Sequence, residues 1–473
     1  MSFASQEAVQ RLARFARDKS DVPAITAGKD ILTFADLYAR ASRLAAGMRH
    51  HGVGEQGWVL GIAAPGTHLL ELEIAAWMRG ACPVILPFGR PYEWYRAEAA
   101  RFGEMLVISN ARLDWSADTL AVSTPASMMS ESEPDRSLSN NLSTPWAYAR
   151  YSSGTTAPPR PTATSHRAIE VVLDGLNEAI FNDVPSDRSI GVFGAHEFDT
   201  TVKQLGQVLS GRSVISCPQM VRLVPTKLGR WIEVNNVAVI DMPPSILKIL
   251  SRQGRLGELD GATIISGGEA LDVQTWDDLG SSRTSRAYSA YGVTECAADS
   301  FLAHVQVDAE PNLGRALPGV HWRIDGDESG ELLLGGVVVG TPLDASFQDQ
   351  FFDEGPLRWY RTGDRCDASS GALRFMARQG SRVKIAGRWV DTESVRSRIL
   401  GMDAVVDAVV FPMLDGSSNG RLVALVAVDR PDESLRVSLL NATPELLQVA
   451  FVSSLPLTSR GKPDLERARQ HFE

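Results

Sequence analysis

The stretch LTFADLYARASRLAAGM, Leu32 to Met48, together with WVLGIA from Trp58, decides the fold. Thr33 and Asp36 stand three apart as in a capping box, each placed to satisfy a backbone N–H that the first helical turn leaves open. Leu37, Ala41, Leu44 and Met48 recur at the spacing of one helical face, and Gly52 stands where such a helix stops. The short apolar run that follows predicts a strand. The same alternation returns at VILP ending at Pro87 and LVIS ending at Ser109. It returns again in the helix after Ser165, where Ile169, Val172, Leu173, Leu176 and Ile180 share a face. Helices alternating with strands predict an α/β domain with largely parallel sheets.

Outward from this core, Asp114 to Pro145 is rich in Ser, Thr, Asp and Pro without clear periodicity, which predicts a surface connection. After Ala377 the pattern changes to short β runs, RVKIAGRWV, AVVDAVVFPM, RLVALVAVD and LLQVAFVSSL, interleaved with the helical DTESVRSRIL. This predicts a second, small α+β domain, in keeping with a length of 473 residues, which exceeds what one core usually organises.

Composition narrows the function. Hydrophobic residues make up 44% and charged residues 22%, and no apolar run reaches the ~20 residues of a membrane span. The N-terminus spaces Val9, Leu12 and Phe15 as a helix and lacks a signal peptide's apolar block, so a cytoplasmic protein is expected. A net charge of -10 without a Lys/Arg cluster argues against a nucleic-acid partner. Cys82, Cys217, Cys296 and Cys366 lie too far apart for a zinc site and read as reduced thiols. The adjacent His50 and His51 have no third ligand in sight and read as surface residues.

The informative chemistry begins at YSSGTTAPPRPTATSH, Tyr151 to His166. Small hydroxylated residues around Gly154 expose N–H and O–H donors of the kind that grip a polyphosphate, although no Gly-Lys-Ser/Thr ending follows. Downstream come SGGEAL from Ser266, YGVTE from Tyr291, YRTGD from Tyr360, ARQGSRVKIAG from Ala377 and PLTSRGKPD from Pro456. Their order and spacing resemble the adenylate-forming superfamily of acyl-CoA synthetases, peptide-synthetase adenylation domains and luciferases. The likeness runs from Leu32 through AAWMRGACPVILP and SGELLLGG to Lys462.

The resemblance implies a large N-terminal domain over 1–379, of parallel and mixed sheets with helices and a small β-barrel-like subdomain. It further implies a small mobile α+β domain over 380–473 with its hinge at Gly380. The implied reaction brings a carboxylate onto the α-phosphate of ATP, so positive charge must hold two anions together. Ser153, Gly154, Thr155 and Thr156 would wrap the outer phosphates, with Arg160 where relatives carry Lys. Gly268, Glu269, Tyr291 and Gly292 would line the nucleotide, with Tyr291 stacked on adenine. Thr294 would touch the α-phosphate, Glu295 would hold Mg²⁺, Asp364 would take the ribose hydroxyls and Arg378 would add a further contact. Lys462 would bridge carboxylate and α-phosphate, and the loop at Gly387 would later line a channel for a thiol.

The expected activity is that of an acid–thiol ligase, with ATP and Mg²⁺ as cofactors. It would transfer an acyl group from acyl-AMP to CoA or to the phosphopantetheine of a carrier protein. The chain ends nine residues after Asp464, so that acceptor is expected to be separate. For the acid, Gly267, His196 and Asp199 are the candidate contacts. His196 matches a position beside the carboxylate in aryl- and acyl-CoA ligases and favours an aryl or other small acid. Asp199 in FDTTV matches the amino-group ligand of peptide synthetases and favours an amino acid. A non-catalytic nucleotide-binding relative and a luciferase-like oxidative enzyme share these motifs. The sequence departs from the family pattern at Ala157, Pro158, Pro159, Arg160 and Pro161, where relatives read Gly-x-Pro-Lys-Gly, which predicts a stiffer phosphate loop.

Overall fold

The computed structural model describes the chain apart from residues 1–4, 54–55, 63–67, 89, 104–106, 110–121, 131–143, 153–159, 194–201, 223, 225–226, 283–285, 379–381, 386–387, 403, 414–420, 429, 457–462 and 473. It divides into two compact units. The first comprises Met1–Arg323 and Leu333–Thr362, and the second Ile324–Leu332 and Gly363–Glu473.

In the first unit the capping box forms as the sequence predicts. The Thr33 hydroxyl accepts from the Asp36 N–H at 3.1 Å, and the Asp36 carboxylate accepts from the Thr33 N–H at 3.2 Å. The helix Phe34–His50 buries Leu37, Ala41, Leu44 and Met48 completely, and Gly52 leaves it in the left-handed region at φ 81°. Each such large side chain contributes on the order of 1.5–3 kcal/mol on leaving water. The helix His166–Ala179 is capped by Ser165 and buries Ile169, Val172, Leu173 and Leu176, with Ile180 buried at its C-cap.

Two large sheets lie in this unit. The larger has nine strands in the order Arg315–Ala316, Phe301–His304, Arg286–Tyr291, Thr263–Gly267, Val237–Asp241, Ser189–Val192, Val214–Ser216, Pro23–Ala27 and Asp30–Thr33. Its interior pairings are parallel, and antiparallel strands occur only towards its edges. The second has seven strands in the order Thr341–Pro342, Pro161–Ser165, Trp146–Tyr151, Cys82–Leu86, Trp58–Ile62, Val107–Ser109 and Val122–Ser123. A buried ion pair, Arg150 to Glu73 at 2.6 Å, ties its strand Trp146–Tyr151 to the helix His68–Met78. All four cysteines are free and buried, and burial pushes the Cys82 and Cys296 thiols well up, which keeps them inert.

The second unit is α+β. Val405–Met413 pairs antiparallel with Arg421–Val428, which pairs parallel with Leu446–Val452. Val395 and Ile399 of the helix Thr392–Leu400 pack into the core beside Leu422, Ala424 and Val426. The hinge position Gly380 lies outside the described residues. One expectation is corrected: no sheet among the described residues closes into a barrel. Among the described residues the four-residue Phe351–Glu354 pairs only with Leu357–Asp367 and ends its sheet as an open edge, with no described strand to complete a closed circuit. No helix among the described residues is long and apolar enough to cross a membrane.

Candidate active site

Parallel strands deliver their carboxyl ends to one edge of a sheet, and the crevice beyond that edge is where open α/β folds bind ligands. Val237–Asp241, Thr263–Gly267 and Arg286–Tyr291 are parallel neighbours, with Asp241 opposite Ile265 and Gly267 opposite Ala290. The motif residues Gly267, Gly268, Glu269, Tyr291, Gly292, Thr294 and Glu295 therefore gather at one edge. A side chain at Gly267 would meet the Ala290 carbonyl at 2.8 Å. Gly268 is left-handed at φ 86° and, among the described residues, has nothing within 4 Å of where a Cβ would stand. Glycine there lets backbone approach a ligand from an open side.

After Tyr291 the chain reverses tightly. Gly292 is required, because a Cβ would fall 1.7 Å from the Ala298 carbonyl. The short turn Thr294–Cys296 is followed by Ala297 at φ 59° and Ala298 at φ 76°, two left-handed residues with side chains. Such conformations persist only where surrounding contacts enforce them, and they cluster at functional sites. Here the return is held by the Ser300 N–H, which donates to the Tyr291 carbonyl at 2.8 Å. Glu295 is thereby fixed at the tip of the turn and only 7% exposed. The half-buried Tyr291 ring stands edge-on to Phe301 at 6.0 Å.

Glu295 is also joined to the hydroxyl-rich segment. The Gly340 N–H donates to the Glu295 carbonyl at 2.8 Å, and a Cβ on Gly340 would lie 2.6 Å from Thr162 Cγ2 and 2.8 Å from the Ala163 carbonyl. Thr162 and Ala163 belong to Pro161–Ser165, the strand that leaves the hydroxyl-rich turn. The base of that turn is closed twice, by the Ser152 N–H onto the Arg160 carbonyl at 3.0 Å and the Arg160 N–H onto the Ser152 hydroxyl at 3.2 Å. The Arg160 guanidinium lies over the Phe347 ring, 5.3 Å from its centre. Ser153, Gly154, Thr155 and Thr156 lie outside the described residues, as do His196, Asp199, Gly387 and Lys462.

In the second unit Asp364 and Arg378 are register partners on adjacent strands. The Asp364 carboxylate is 3% exposed and stands 3.2 Å from Arg378 Nε. The arginine side chain remains 46% exposed, so the pair presents a buried acceptor beside an accessible cation.

The edge in the first unit also holds a cluster that the motifs do not reveal. Lys203 is 3% exposed, and its ammonium stands 2.9 Å from a carboxylate oxygen of Asp241 and 2.9 Å from one of Asp299. Burial alone would lower its pKa, but Asp241 and Asp299 outweigh burial and push it up, so Lys203 stays charged. Gln204 donates to Asp241 at 2.8 Å. The only signal in the sequence was position: Lys203 lies four residues beyond Asp199, and Asp299 four beyond Glu295.

These groups suit a nucleotide with Mg²⁺. Among the described residues Gly268 leaves open space and the Ser266 hydroxyl is buried without a hydrogen-bond partner, and Glu295 offers one carboxylate. Among the described residues no three His, Cys, Asp or Glu side chains group as a metal site. One carboxylate with substrate phosphates is nevertheless the usual way Mg²⁺ is held.

The family model of the AMP-binding enzymes matches residues 12–342. The chain belongs to that family. Most of the curated relatives it matches are long synthetases of which the chain spans only a part. Among its relatives, the AMB antimetabolite synthetase AmbE of Pseudomonas aeruginosa is 28% identical over 92% of this chain, which spans 22% of that protein's length. The dapdiamide synthesis protein DdaD of Enterobacter agglomerans is 25% identical over 93% of this chain and 78% of its own length. Among solved structures, Klebsiella oxytoca NpsA in complex with 3-hydroxyanthranilyl-AMSN superposes with a TM-score of 0.79 at 18% identity, covering 98% of this chain and 99% of that one. The O-succinylbenzoate coenzyme A synthetase of Bacillus subtilis, in complex with ATP and magnesium, gives the same TM-score and coverage at 16% identity. Likeness at these identities establishes the shared fold.

Proposed function

We propose that this AMP-binding enzyme activates a small carboxylic acid as its acyl-adenylate, releasing pyrophosphate, and then passes the acyl group to the thiol of CoA or of a carrier protein's phosphopantetheine. The observation that carries the reading is the tie of Glu295, through Gly340, to the strand leaving the hydroxyl-rich turn, with the backbone of Gly268 open just past the neighbouring strand end, in a chain of this family. The difficulty of the reaction is electrostatic, because a carboxylate must approach a polyphosphate, and preorganised donors are what such a step requires.

In this reading Ser153, Gly154, Thr155 and Thr156 hold the outer phosphates, and Arg160 adds charge at the mouth of the turn. Thr294 donates to the α-phosphate and Tyr291 flanks the adenine, with Gly268, Glu269 and Gly292 lining the nucleotide. Glu295 holds Mg²⁺, which when bound neutralises phosphate charge. Asp364 accepts from the ribose hydroxyls, with Arg378 beside it. Lys462 brings an ammonium to the attacking carboxylate and the α-phosphate oxygens. Movement of 380–473 about Gly380 then admits the thiol past Gly387, and the thiol displaces AMP.

The acid is an aryl or other small organic acid beside His196 and Gly267. An amino acid held by Asp199 is the second reading, and the charged cluster at Lys203 supports it. The test is to incubate enzyme, ATP, Mg²⁺ and an accepted acid, then add CoA or a loaded carrier protein and look for the thioester by mass spectrometry. Thioester formation with either acceptor supports the proposal, and acyl-AMP that neither acceptor consumes contradicts its second half.

A further inference from the structure

We infer that Phe347 is a positioning residue for Arg160, holding its guanidinium ready for the outer phosphates of ATP, and that one network ties both ends of the hydroxyl-rich turn to it. The inference rests on the adenylation reading for ATP as the ligand, and on geometry for the device. Before the turn, the Tyr151 hydroxyl donates to the Glu98 carboxylate at 2.7 Å, and both residues are buried. Burial, together with the Glu98 charge, pushes the Tyr151 phenol far up, so it keeps its proton and remains a donor. Arg101 Nε donates to the same carboxylate oxygen at 2.9 Å, and its Nη1 stands 3.0 Å from Asp344. Asp344 in turn caps the short helical segment Ala345–Gln350 by accepting from the Ser346 N–H at 2.8 Å. After the turn, the Leu343 N–H donates to the Pro161 carbonyl at 3.0 Å, and Phe347 lies under Arg160. The segment from Leu343 to Phe347 thus receives the turn at both ends.

Tethering alone does not call for an aromatic ring beneath a cation. Phe347 is 2% exposed, and the Arg160 guanidinium carbon lies 5.3 Å from its ring centre, inside the ~6 Å reach of a cation–π contact. Phe351 stands edge-on to the same ring at 5.7 Å. Among the described residues no carboxylate pairs with Arg160, so its charge is not neutralised within the fold. Because Pro161 follows, the backbone of Arg160 is biased to extended conformations, and the ring confines the side chain as well. An arginine gives up rotamer freedom when it grips a phosphate, and here much of that loss precedes binding. A planar guanidinium can rest on a ring and still offer its N–H fork to phosphate, which a lysine ammonium does not. Arginine where relatives carry lysine, and the ring beneath it, therefore make one device.

The test measures Kd for ATP and for AMP, since only ATP carries the outer phosphates. Phe347→Leu is expected to weaken ATP about five- to tenfold, the size of one desolvated cation–π contact, and to leave AMP unchanged. Phe347→Tyr keeps the ring and is expected to retain ATP affinity. Arg160→Lys leaves the core untouched and is expected to weaken ATP, not AMP, by a similar factor. Added to Arg160→Gln, Phe347→Leu is expected to cause no further loss, which a double-mutant cycle reads as coupling. Equal weakening of ATP and AMP by Phe347→Leu marks a merely structural role and overturns the inference. Wild-type ATP affinity in Phe347→Leu or Arg160→Lys, or full additivity with Arg160→Gln, overturns it too. Pyrophosphate exchange separates the two claims. A wild type without exchange for any acid, beside a Phe347→Leu that loses ATP but not AMP, sinks the adenylation reading and sustains the role of Phe347. Exchange in the wild type beside undiminished ATP affinity in Phe347→Leu sinks that role alone.

Discussion

Gly340 and Glu295 are joined backbone to backbone, the Gly340 N–H donating to the Glu295 carbonyl at 2.8 Å, and this bond sets the acid of the YGVTE motif against the strand leaving the hydroxyl-rich turn. Two motifs far apart in sequence thereby share one position. The bond needs glycine, because a Cβ would press on Thr162 and on the Ala163 carbonyl. Gly340→Ala is expected to cost about 1–3 kcal/mol, as overpacking usually does. Thermal unfolding reads this as a lowered midpoint; an unchanged midpoint would show that the strand yields freely.

Glu295→Gln keeps the shape and removes the charge. Acid-dependent pyrophosphate exchange is expected to fall by a factor on the order of 10², the usual loss when one preorganised electrostatic group is removed. The Mg²⁺ concentration for half-maximal exchange is expected to rise as well. An unaltered Mg²⁺ titration would remove Glu295 as the metal ligand.

Asp364→Ala is expected to weaken ATP, raising its KM by roughly 10–100-fold, which corresponds to losing charged hydrogen bonds of about 1.5–3 kcal/mol. The wild type should also discriminate against 3′-deoxy-ATP, and the variant should not. Equal loss towards both nucleotides in the variant would place Asp364 away from the ribose.

His166 gives a pH signature of stability. Burial lowers its pKa from 6.5 to about 4, and neither ring nitrogen has a hydrogen-bond partner among the described residues. Below pH 6.5 the unfolded chain takes up a proton that the folded chain refuses, so stability falls as pH drops towards 4 and the loss is complete below it. The full effect is on the order of 3 kcal/mol. His166→Leu is expected to flatten this part of the profile, as followed by thermal midpoints between pH 7 and 4. A variant with the same slope would assign the acid sensitivity elsewhere.

What the sequence made legible was local. The Thr33–Asp36 box, the apolar face from Ile169 to Ile180 and the change to a small α+β unit are all written in neighbouring residues, and each appears in the structure. The edge bearing Gly268 and Glu295 was legible for the same reason, since each motif is one strand end and its turn. The Lys203 cluster was not, because Asp241 and Asp299 reach it from distant strands and no periodicity marks such a meeting. Likewise, nothing adjacent to Arg160 foretells Phe347 beneath its guanidinium. The barrel-like expectation failed because sheet closure depends on strand pairing around a whole circuit, which no single segment encodes.

The most direct measurement is the acid-dependent return of labelled pyrophosphate into ATP, made across a panel of aryl, alkyl and amino acids with wild type and Lys462→Ala. The account expects Mg²⁺-dependent exchange with at least one acid, and a fall by a factor on the order of 10² in the variant. ATP binding without exchange for any acid, or full exchange in Lys462→Ala, would contradict it.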